Sequence, residues 1–269
     1  MTQVRYVLGM SIETTSQQEA VDRVLHWASR GESRYVCFAN VHMTMETVDH
    51  PTFREVVNSA DLVAPDGMPL VWALRRLGAR EATRVYGPDF VPALCERAAA
   101  TGVPVGFYGG RPEVLDRLVR ILKERYPALA VGFAESPPFR PLMGAEDAAL
   151  VQRVRDSGVP ILFVGLGCPK QEMWMAARKG SIPAVMLGVG AAFDFLAGAK
   201  PQAPRWMGRA GLEWLFRLAT EPRRLWRRYL YHNPRFVVGF VRQLLRAGRR
   251  QRAGRRQRAG RRPRADAPD

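Results

Sequence analysis

Short apolar runs alternate with longer amphipathic segments along the first two hundred residues of the chain. The apolar runs have the length of buried strands, and the segments between them place apolar residues at helical spacing. Strands that alternate with helices predict an α/β fold, in which a mostly parallel sheet carries helices on both faces. The predicted strands cover residues 6–10, 34–39, 62–64, 103–108, 129–133, 161–166 and 184–189.

Local signals mark the starts of several helices. Ser16 and Glu19 form a capping box, which opens a helix that ends near residue 30. Pro112 has the position of a first helical residue, followed by apolar residues at helical spacing. Further helices are predicted between residues 42 and 62, from about residue 69, and at 88–100, 145–156 and 169–179.

The pattern changes after Lys200, since no later segment has the pattern of a strand and the rest is helical and basic. Such a basic amphipathic helix can lie in a membrane interface, or it can pack its apolar face on the body of the protein, and the pattern favours neither. Four arginines fall on one arc of this helix, opposite leucine, tryptophan and tyrosine: Arg223, Arg224, Arg227 and Arg228.

The last segment repeats the hexad RAGRRQ from Arg246 onward and holds no apolar side chain larger than alanine. A segment of this composition cannot bury a core, so we expect residues 246–269 to be disordered. Its charge suits anionic lipid or nucleic acid, but no aromatic residue interleaves it, so no specific nucleic-acid partner is predicted. We therefore predict three parts: an α/β domain over residues 1–200, a basic helical appendage over 201–245, and this tail.

Charge separates the same parts of the 269-residue chain. The formal net charge of +16 divides into +1 for residues 1–204, +7 for 205–245 and +8 for 246–269. A near-neutral body with a basic end favours a partner that carries phosphates, such as a nucleotide, a nucleic acid or an anionic membrane surface. The three cysteines form no close pair, which fits a reducing cytosol. Neither a signal peptide nor a bilayer-spanning run is predicted.

The chemistry is expected in the loops that follow the predicted strands, because the carboxyl ends of parallel strands meet at one edge of the sheet, where ligands bind. Asp66 follows the strand at 62–64, and Gly67 lets the chain turn sharply beside it. A carboxylate in this place can act as a general base, hold a ligand hydroxyl, or cap the next helix. From this stretch alone the capping role is favoured.

Other loops at the same predicted edge add polar and flexible groups. Asn40 follows the strand at 34–39. Gly109, Gly110 and Gly167 lie in turns that let the backbone approach a ligand, and the helix N-termini beyond them favour phosphate. Gln171 opens the helix after Gly167, where its amide either hydrogen-bonds a base edge or sugar hydroxyls, or is an exposed surface group.

Arg84 offers a guanidinium that can hold a diphosphate through two hydrogen bonds, although a lone arginine is more often a surface residue. The sequence has no Walker motif and no complete G-x-G-x-x-G. The histidines and carboxylates show no metal-ligand spacing and no D-x-D motif occurs, so no metal and no cofactor are predicted. Arginines would then have to neutralise a departing diphosphate.

Six segments, in order, resemble the WecG/TagA/CpsF family of bacterial glycosyltransferases: ADLVAPDGMPLVWALR, RVYGPDF, FYGG, GLGCPKQE, GVGAAFDFLAG and GLEWLFRLATEPRRLWRRYL. The resemblance covers about residues 5–236. It implies a Rossmann-like core and an inverting, metal-independent transfer of a sugar, such as N-acetylmannosamine or glucose, from a UDP-sugar to an undecaprenyl-diphosphate-linked saccharide. It also implies a peripheral protein at the cytoplasmic face of the membrane, acting in cell-surface or exopolysaccharide synthesis, and it leaves a homo-oligomer open.

The resemblance implies roles for particular residues. Asp66 matches the family's proposed catalytic base, and Asn40 matches an asparagine of its second strand–helix loop. Arg84 matches the arginine of an R-x-x-G-x-D segment, and Gln171 matches the glutamine of P-K-Q-E. The appendage arginines would face the diphosphate, with the four named above as candidates. The substrate-binding set is completed by Gly67, Gly109, Gly110 and Gly167.

Two positions depart from the family pattern. Phe38 stands where members often have threonine, and Gln202 stands where many have arginine. Two functions from other classes also stay open: a nucleotide-fold protein that binds membrane or nucleic acid without transferase activity, and a dinucleotide-dependent oxidoreductase. Intact activity on a radiolabelled UDP-sugar after Asp66→Asn would favour the first, and stabilisation by NAD but not by UDP would favour the second.

Overall fold

The computed structural model of the protein describes residues 3–140 and 142–260, with side chains up to residue 249. The strands are β1 (Gln3–Val7), β2 (Met10–Thr14), β3 (Arg34–Ala39), β4 (Leu62–Pro65), β5 (Val105–Gly109), β6 (Val131–Glu135), β7 (Ile161–Gly165) and β8 (Val185–Gly188). The helices are α1 (Gln17–Ser29), α2 (Val41–Asp49), α3 (Pro51–Asn58), α4 (Met68–Arg76), α5 (Gly87–Thr101), α6 (Pro112–Arg125), α7 (Gly144–Asp156), α8 (Lys170–Arg178), α9 (Ala192–Leu196), α10 (Arg205–Arg209), α11 (Glu213–Thr220) and α12 (Pro222–Gly260).

Six strands form one sheet in the order β4-β3-β8-β7-β5-β6, and every neighbouring pair is parallel. Alternate side chains of a strand enter different cores: Val36 and Phe38 face one cluster of buried residues, while Tyr35 and Cys37 face the other. Helices cover both faces, which is why the central strands are almost entirely apolar. The predicted α/β fold with a Rossmann-like parallel sheet is confirmed.

The beginning of the chain differs from the prediction. The single strand expected at 6–10 is wrong, because the chain turns at Leu8 and Gly9, both with positive φ (52° and 90°), and pairs β1 with β2 in a separate antiparallel hairpin. Glycine adopts this backbone conformation at little cost. Gln243 of α12 holds the turn, since its side chain accepts from the Leu8 N–H (2.8 Å) and donates to the Tyr6 carbonyl (2.7 Å).

Helix α12 packs one face on the body of the protein. Arg235 pairs with Asp49 of α2 (Nη1–Oδ2, 2.8 Å), and Phe236 is buried in the core that also contains the α2 side chains. The opposite face leaves large apolar side chains exposed, among them Leu230 (67%) and Leu245 (60%). One face of the helix therefore packs on the body of the protein, and a membrane interface stays a prediction for the exposed face.

The tail does not follow the expected disorder throughout. The structure continues α12 as helix through residues 246–260, where alanine, arginine and glutamine favour helix and no proline interrupts them. Residues 261–269 lie outside the described part, and the division into three parts stays a prediction. Within the described part, no helix combines the length and the apolar character that crossing a bilayer requires.

Candidate active site

A cavity of about 460 Å³ lies at the carboxyl ends of β3 and β4, between α4 and the C-terminal helices α11 and α12. The C-terminal segment closes tightly over this region, since Gly211 lies so close to the Trp72 ring that a Cβ at this position would collide with it. Five of the residues predicted for the site line the cavity: Asn40, Asp66, Gly67, Arg84 and Arg228. The sheet edge and the appendage thus form one site together.

Asp66 directly follows β4, and its backbone N–H donates to the carbonyl of Ala39 at the end of β3 (2.8 Å). The next helix has Gly67 as its N-cap and no side-chain cap, so the capping role favoured for Asp66 from the local sequence was wrong. Its carboxylate instead faces Arg84, with 3.5 Å between Oδ1 and Nη2. The side chain keeps 19% of its surface exposed, and it is therefore accessible from the cavity.

The environment of Asp66 favours the neutral acid. Burial raises the pKa of the Asp66 carboxyl to about 7; Arg84 and Arg217 counteract this shift, and Glu213 adds to it. A carboxylate with a pKa near neutrality can accept a proton from a substrate hydroxyl more readily than one that titrates near 4. The side chain thus has both the access and the basicity that proton abstraction requires.

Arg84 connects Asp66 to the C-terminal segment. Its Nε donates to the Asp66 carbonyl, and its Nη2 donates to Glu213 Oε2 of α11 (2.6 Å). Tyr86 donates from its hydroxyl to the other Glu213 oxygen (3.2 Å), and its ring lies 3.8 Å from the Arg84 guanidinium. Burial opposes the charge of Arg84, but the carboxylates of Asp66 and Glu213 outweigh it and raise the pKa. Arg84 therefore contacts both Asp66 and the C-terminal segment of the site.

Two further arginines bring positive charge to the cavity: Arg217 of α11 and Arg228 of α12. Among the described side chains, neither forms an ion pair with a carboxylate, and the Arg217 Nε is buried without a hydrogen-bond partner. Burial and the neighbouring Arg224 and Arg217 lower the pKa of Arg228. Half-buried guanidinium groups without counter-charges among the described side chains indicate a site for an anion, for which diphosphate has the matching geometry.

The four-arginine arc predicted for the appendage divides in the structure. Arg223, Arg224 and Arg227 are exposed and are absent from the cavity lining, while Arg228 belongs to it. Arg224 pairs with Glu221 (Nε–Oε2, 2.6 Å), which already offsets its charge. The sequence argument missed Arg217. Its spacing of four residues from Glu213 would have placed both on one face of a helix.

A second group of predicted residues lies elsewhere on the same edge and does not line the cavity: Gly109, Gly110, Gly167 and Gln171. Gly109 has a φ of +120°, and a Cβ there would lie 2.6 Å from the backbone of Gly165. The Gly110 N–H donates to the Gly165 carbonyl (3.1 Å). These two glycines are needed for the close contact of two neighbouring strands, whether or not a ligand is present.

Gln171 is not an exposed surface group, because only 4% of it is accessible. Its Oε1 accepts from the Gly167 N–H (3.1 Å), and its Nε2 donates to the Gly188 carbonyl (2.8 Å) and to Glu172 Oε1 (2.7 Å). These bonds engage the donors and the oxygen of the amide, so the side chain connects the loop after β7 to the end of β8. Since the amide already hydrogen-bonds within the protein, its geometry does not support the prediction that it binds a substrate.

Asn40 uses its side chain in a local contact as well. Its Oδ1 accepts from the Met43 N–H (3.1 Å) and caps α2. Gly67 lies against it, since a Cβ there would be 3.4 Å from both the Cα and the Cβ of Asn40. The two loops that follow β3 and β4 are thereby held side by side at the cavity.

A parallel sheet covered on both faces, with a cavity at its strand carboxyl ends that combines charged and apolar side chains, is typical of a ligand-binding α/β protein. A family model described as "Glycosyl transferase WecG/TagA/CpsF family" matches residues 5–250 of the 269. The chain belongs to this family and is a glycosyltransferase.

Proposed function

We propose that the protein is an inverting glycosyltransferase that moves a sugar, such as N-acetylmannosamine or glucose, from a UDP-sugar to an undecaprenyl-diphosphate-linked saccharide. The reaction needs no metal in its chemical step. It takes place at the cytoplasmic face of the membrane and contributes to cell-surface or exopolysaccharide synthesis. The observation that carries the proposal is the Asp66 carboxylate, accessible in a cavity that also contains Arg84, Arg217 and Arg228.

Asp66 is the general base in this mechanism. It accepts the proton of an acceptor hydroxyl while the oxygen attacks C1 of the donor sugar, and the bond from C1 to the UDP oxygen breaks on the opposite side. One displacement of this kind inverts the anomeric centre. The pKa of about 7 supports the assignment. At neutral pH a substantial fraction of the Asp66 carboxyl is deprotonated, and the carboxylate is a stronger base than one with an ordinary pKa near 4.

Arg217 and Arg228 stabilise the departing diphosphate. Negative charge grows on the UDP oxygen as the bond breaks, and guanidinium groups fixed beforehand in a partly buried site offset it without reorganisation. The absence of a carboxylate partner for these two side chains among the described residues supports this role. Arg84 contacts Asp66 and Glu213, so it positions the base and tunes its pKa.

The exposed stripe of α12 binds the anionic membrane surface in this proposal. Apolar side chains recur on it at helical spacing, and basic residues flank them, as in helices that lie in a membrane interface. The stripe consists of Trp226, Leu230, Val237, Val241 and Leu245. Val237 and Val241 also line the cavity, which supports entry of a lipid-linked acceptor from this side.

A transfer assay tests the function. A panel of radiolabelled UDP-sugars is offered to the full chain with a short-chain polyprenyl-diphosphate saccharide as acceptor, and the anomeric configuration of the product is determined by NMR. We expect one donor to be used, the product to be inverted, and added Mg²⁺ to leave turnover unchanged. Transfer from none of the UDP-sugars would instead favour a binding protein that does not use these donors, and full activity of Asp66→Asn would show that Asp66 is not the base.

Vesicle sedimentation tests the membrane surface. We expect the full chain to pellet with phosphatidylglycerol vesicles, and Leu230→Glu to lose this binding. Phe139→Glu is the control and should still pellet, because Phe139 is a fully exposed apolar residue outside α12 (103% accessible). Deletion of residues 246–269 should weaken pelleting and leave turnover of a soluble acceptor unchanged. Equal pelleting of the full chain and the deletion at low salt would remove the tail from the membrane contact.

A further inference from the structure

A cluster of three potential metal ligands lies where α12 packs on α2, and its two histidines line the same cavity as Asp66. His42 and Glu46 are four residues apart on α2, and His232 comes from α12. The distances are 3.6 Å from His42 Nδ1 to Glu46 Oε1 and 3.8 Å from His232 Nε2 to the same oxygen. One ligand atom from each of the three residues lies within 4.8 Å of the others.

One ligand nitrogen of the cluster is buried and lacks a hydrogen-bond partner among the described residues: His42 Nδ1, which faces Glu46. A buried polar atom without a partner is rare in folded proteins and needs an explanation such as a bound ion. His232 is only 8% exposed and faces Glu46 through Nε2. The backbone of Cys168 hydrogen-bonds His42, an interaction of the kind that orients histidine ligands from behind.

The charged groups around the cluster leave Glu46 Oε1 to the two histidines of the cluster, since His50 Nε2 approaches the other carboxylate oxygen, Oε2 (3.7 Å). Arg228 is the cation that opposes an ion here, while Asp49 is already paired with Arg235.

We propose that His42, Glu46 and His232 bind one divalent transition-metal ion of the zinc class. Two imidazoles and one carboxylate suit zinc rather than magnesium, which prefers oxygen ligands. Ligand atoms around a tetrahedral zinc ion lie about 3.3 Å apart, given bond lengths of about 2.0–2.1 Å. The separations of 3.6 and 3.8 Å from Glu46 Oε1 are close to this value, and the two histidine nitrogens, which lie within 4.8 Å of each other, would have to approach further. The fourth position faces the cavity, which both histidines line.

The ion has a positioning role in this proposal. It joins α12 to α2 across their contact, and Arg228 lies one turn before His232 on the same helix. Binding therefore fixes the guanidinium that faces the cavity, and it takes no part in the chemical step. The inference stands independently of the proposed function, because it rests on ligand geometry alone.

Metal titration of the full, untagged chain tests this site after chelator treatment and removal of the chelator. By calorimetry we expect one Zn²⁺ per chain, with at least tenfold weaker binding in His232→Ala and in Glu46→Gln. His26→Ala changes a histidine of α1 outside the cluster and should bind as the wild type does. Co²⁺ should give the strong visible absorption of a four-coordinate site, and Zn²⁺ should raise the thermal midpoint of the wild type but not of His232→Ala.

Circular dichroism without metal verifies that both variants fold, so that weaker binding reports ligand loss. Two results would overturn the proposal: no Zn²⁺ binding at micromolar concentrations, or equal Zn²⁺ affinity of the wild type, His232→Ala and Glu46→Gln. Equal affinity for Mg²⁺ would do so as well, since it indicates a carboxylate surface site. Calorimetry, Co²⁺ absorption and the thermal midpoint are all measured without sugar transfer. A negative result for the metal site therefore leaves the proposed role of Asp66 unchanged.

Discussion

Two regions of one sheet edge use similar sequence features for different purposes. At the ends of β3 and β4, charged side chains face a cavity: Asp66, Arg84 and Arg228. At the ends of β5 and β7, the glycines allow close contact between neighbouring strands, and Gln171 hydrogen-bonds to the end of a neighbouring strand. Glycine-rich turns after parallel strands therefore do not by themselves identify a ligand site, and the charged side chains that line the cavity are the better indicator.

Two buried carboxyls sharpen the contrast. Burial raises the pKa of Asp66 and of Glu172 to about 7 in each case. Asp66 faces the cavity, whereas Glu172 is fully buried in the other region and accepts a hydrogen bond from Gln171. A shifted pKa thus has a catalytic meaning only where substrate can reach the group.

The largest expected effect comes from neutralising each carboxyl in turn. Asp66→Asn should lower kcat by about 10²–10⁴-fold, because the amide cannot accept the proton. Glu172→Gln is the matched control and should stay within about threefold, since its oxygen still accepts from Gln171. Steady-state kinetics measure both, and similar losses in the two variants would mean that the two regions share the chemistry.

Two consecutive arginines of α12 provide the second comparison. Arg228→Ala should lower kcat/KM by about 10–100-fold, since a charge-assisted hydrogen bond to the diphosphate is lost. Arg227→Ala changes an exposed side chain next to Trp226 and should have little effect on a soluble acceptor. Equal losses in the two variants would show that the overall positive charge, rather than the cavity, binds the anion. The KM of both variants should then depend equally on salt concentration.

Gly109→Ala tests whether the second region is structural. The new Cβ would press on Gly165 at a φ that disfavours side chains, so unfolding in urea should require about 1–3 kcal/mol less free energy. Gly31 also has a positive φ (65°) but open space around it, so Gly31→Ala is a milder control. A stable Gly109→Ala variant with weak donor binding would contradict the packing role.

The pH dependence should give the smallest change. The protonated Asp66 cannot act as a base, so kcat/KM falls as the pH drops through about 7 and is constant above it. Glu213 raises this pKa, and Glu213→Gln should shift the midpoint to lower pH. A midpoint that stays in place would mean that another group controls the profile.

The sequence predicted most of the sheet because its signals are local. Strand β3 has the predicted bounds and α1 has its capping box. Asp66 and Arg84 were found by position and by resemblance, and Arg217 was missed because its role depends on how α11 packs. Phe38, a departure from the family pattern, is a core residue against Phe90 (ring centroids 5.0 Å apart).

The contact between Arg84 and Glu213 can form only late in synthesis, because Glu213 follows the whole sheet in the sequence. The last strand of the sheet ends at Gly188, yet Glu213, Arg217 and Arg228 are translated after it. At about 5–20 residues per second, a nascent chain completes its sheet seconds before its cavity exists. We therefore expect a partly made chain on the ribosome not to consume donor sugar, and the enzyme to become active only when its last helices have docked.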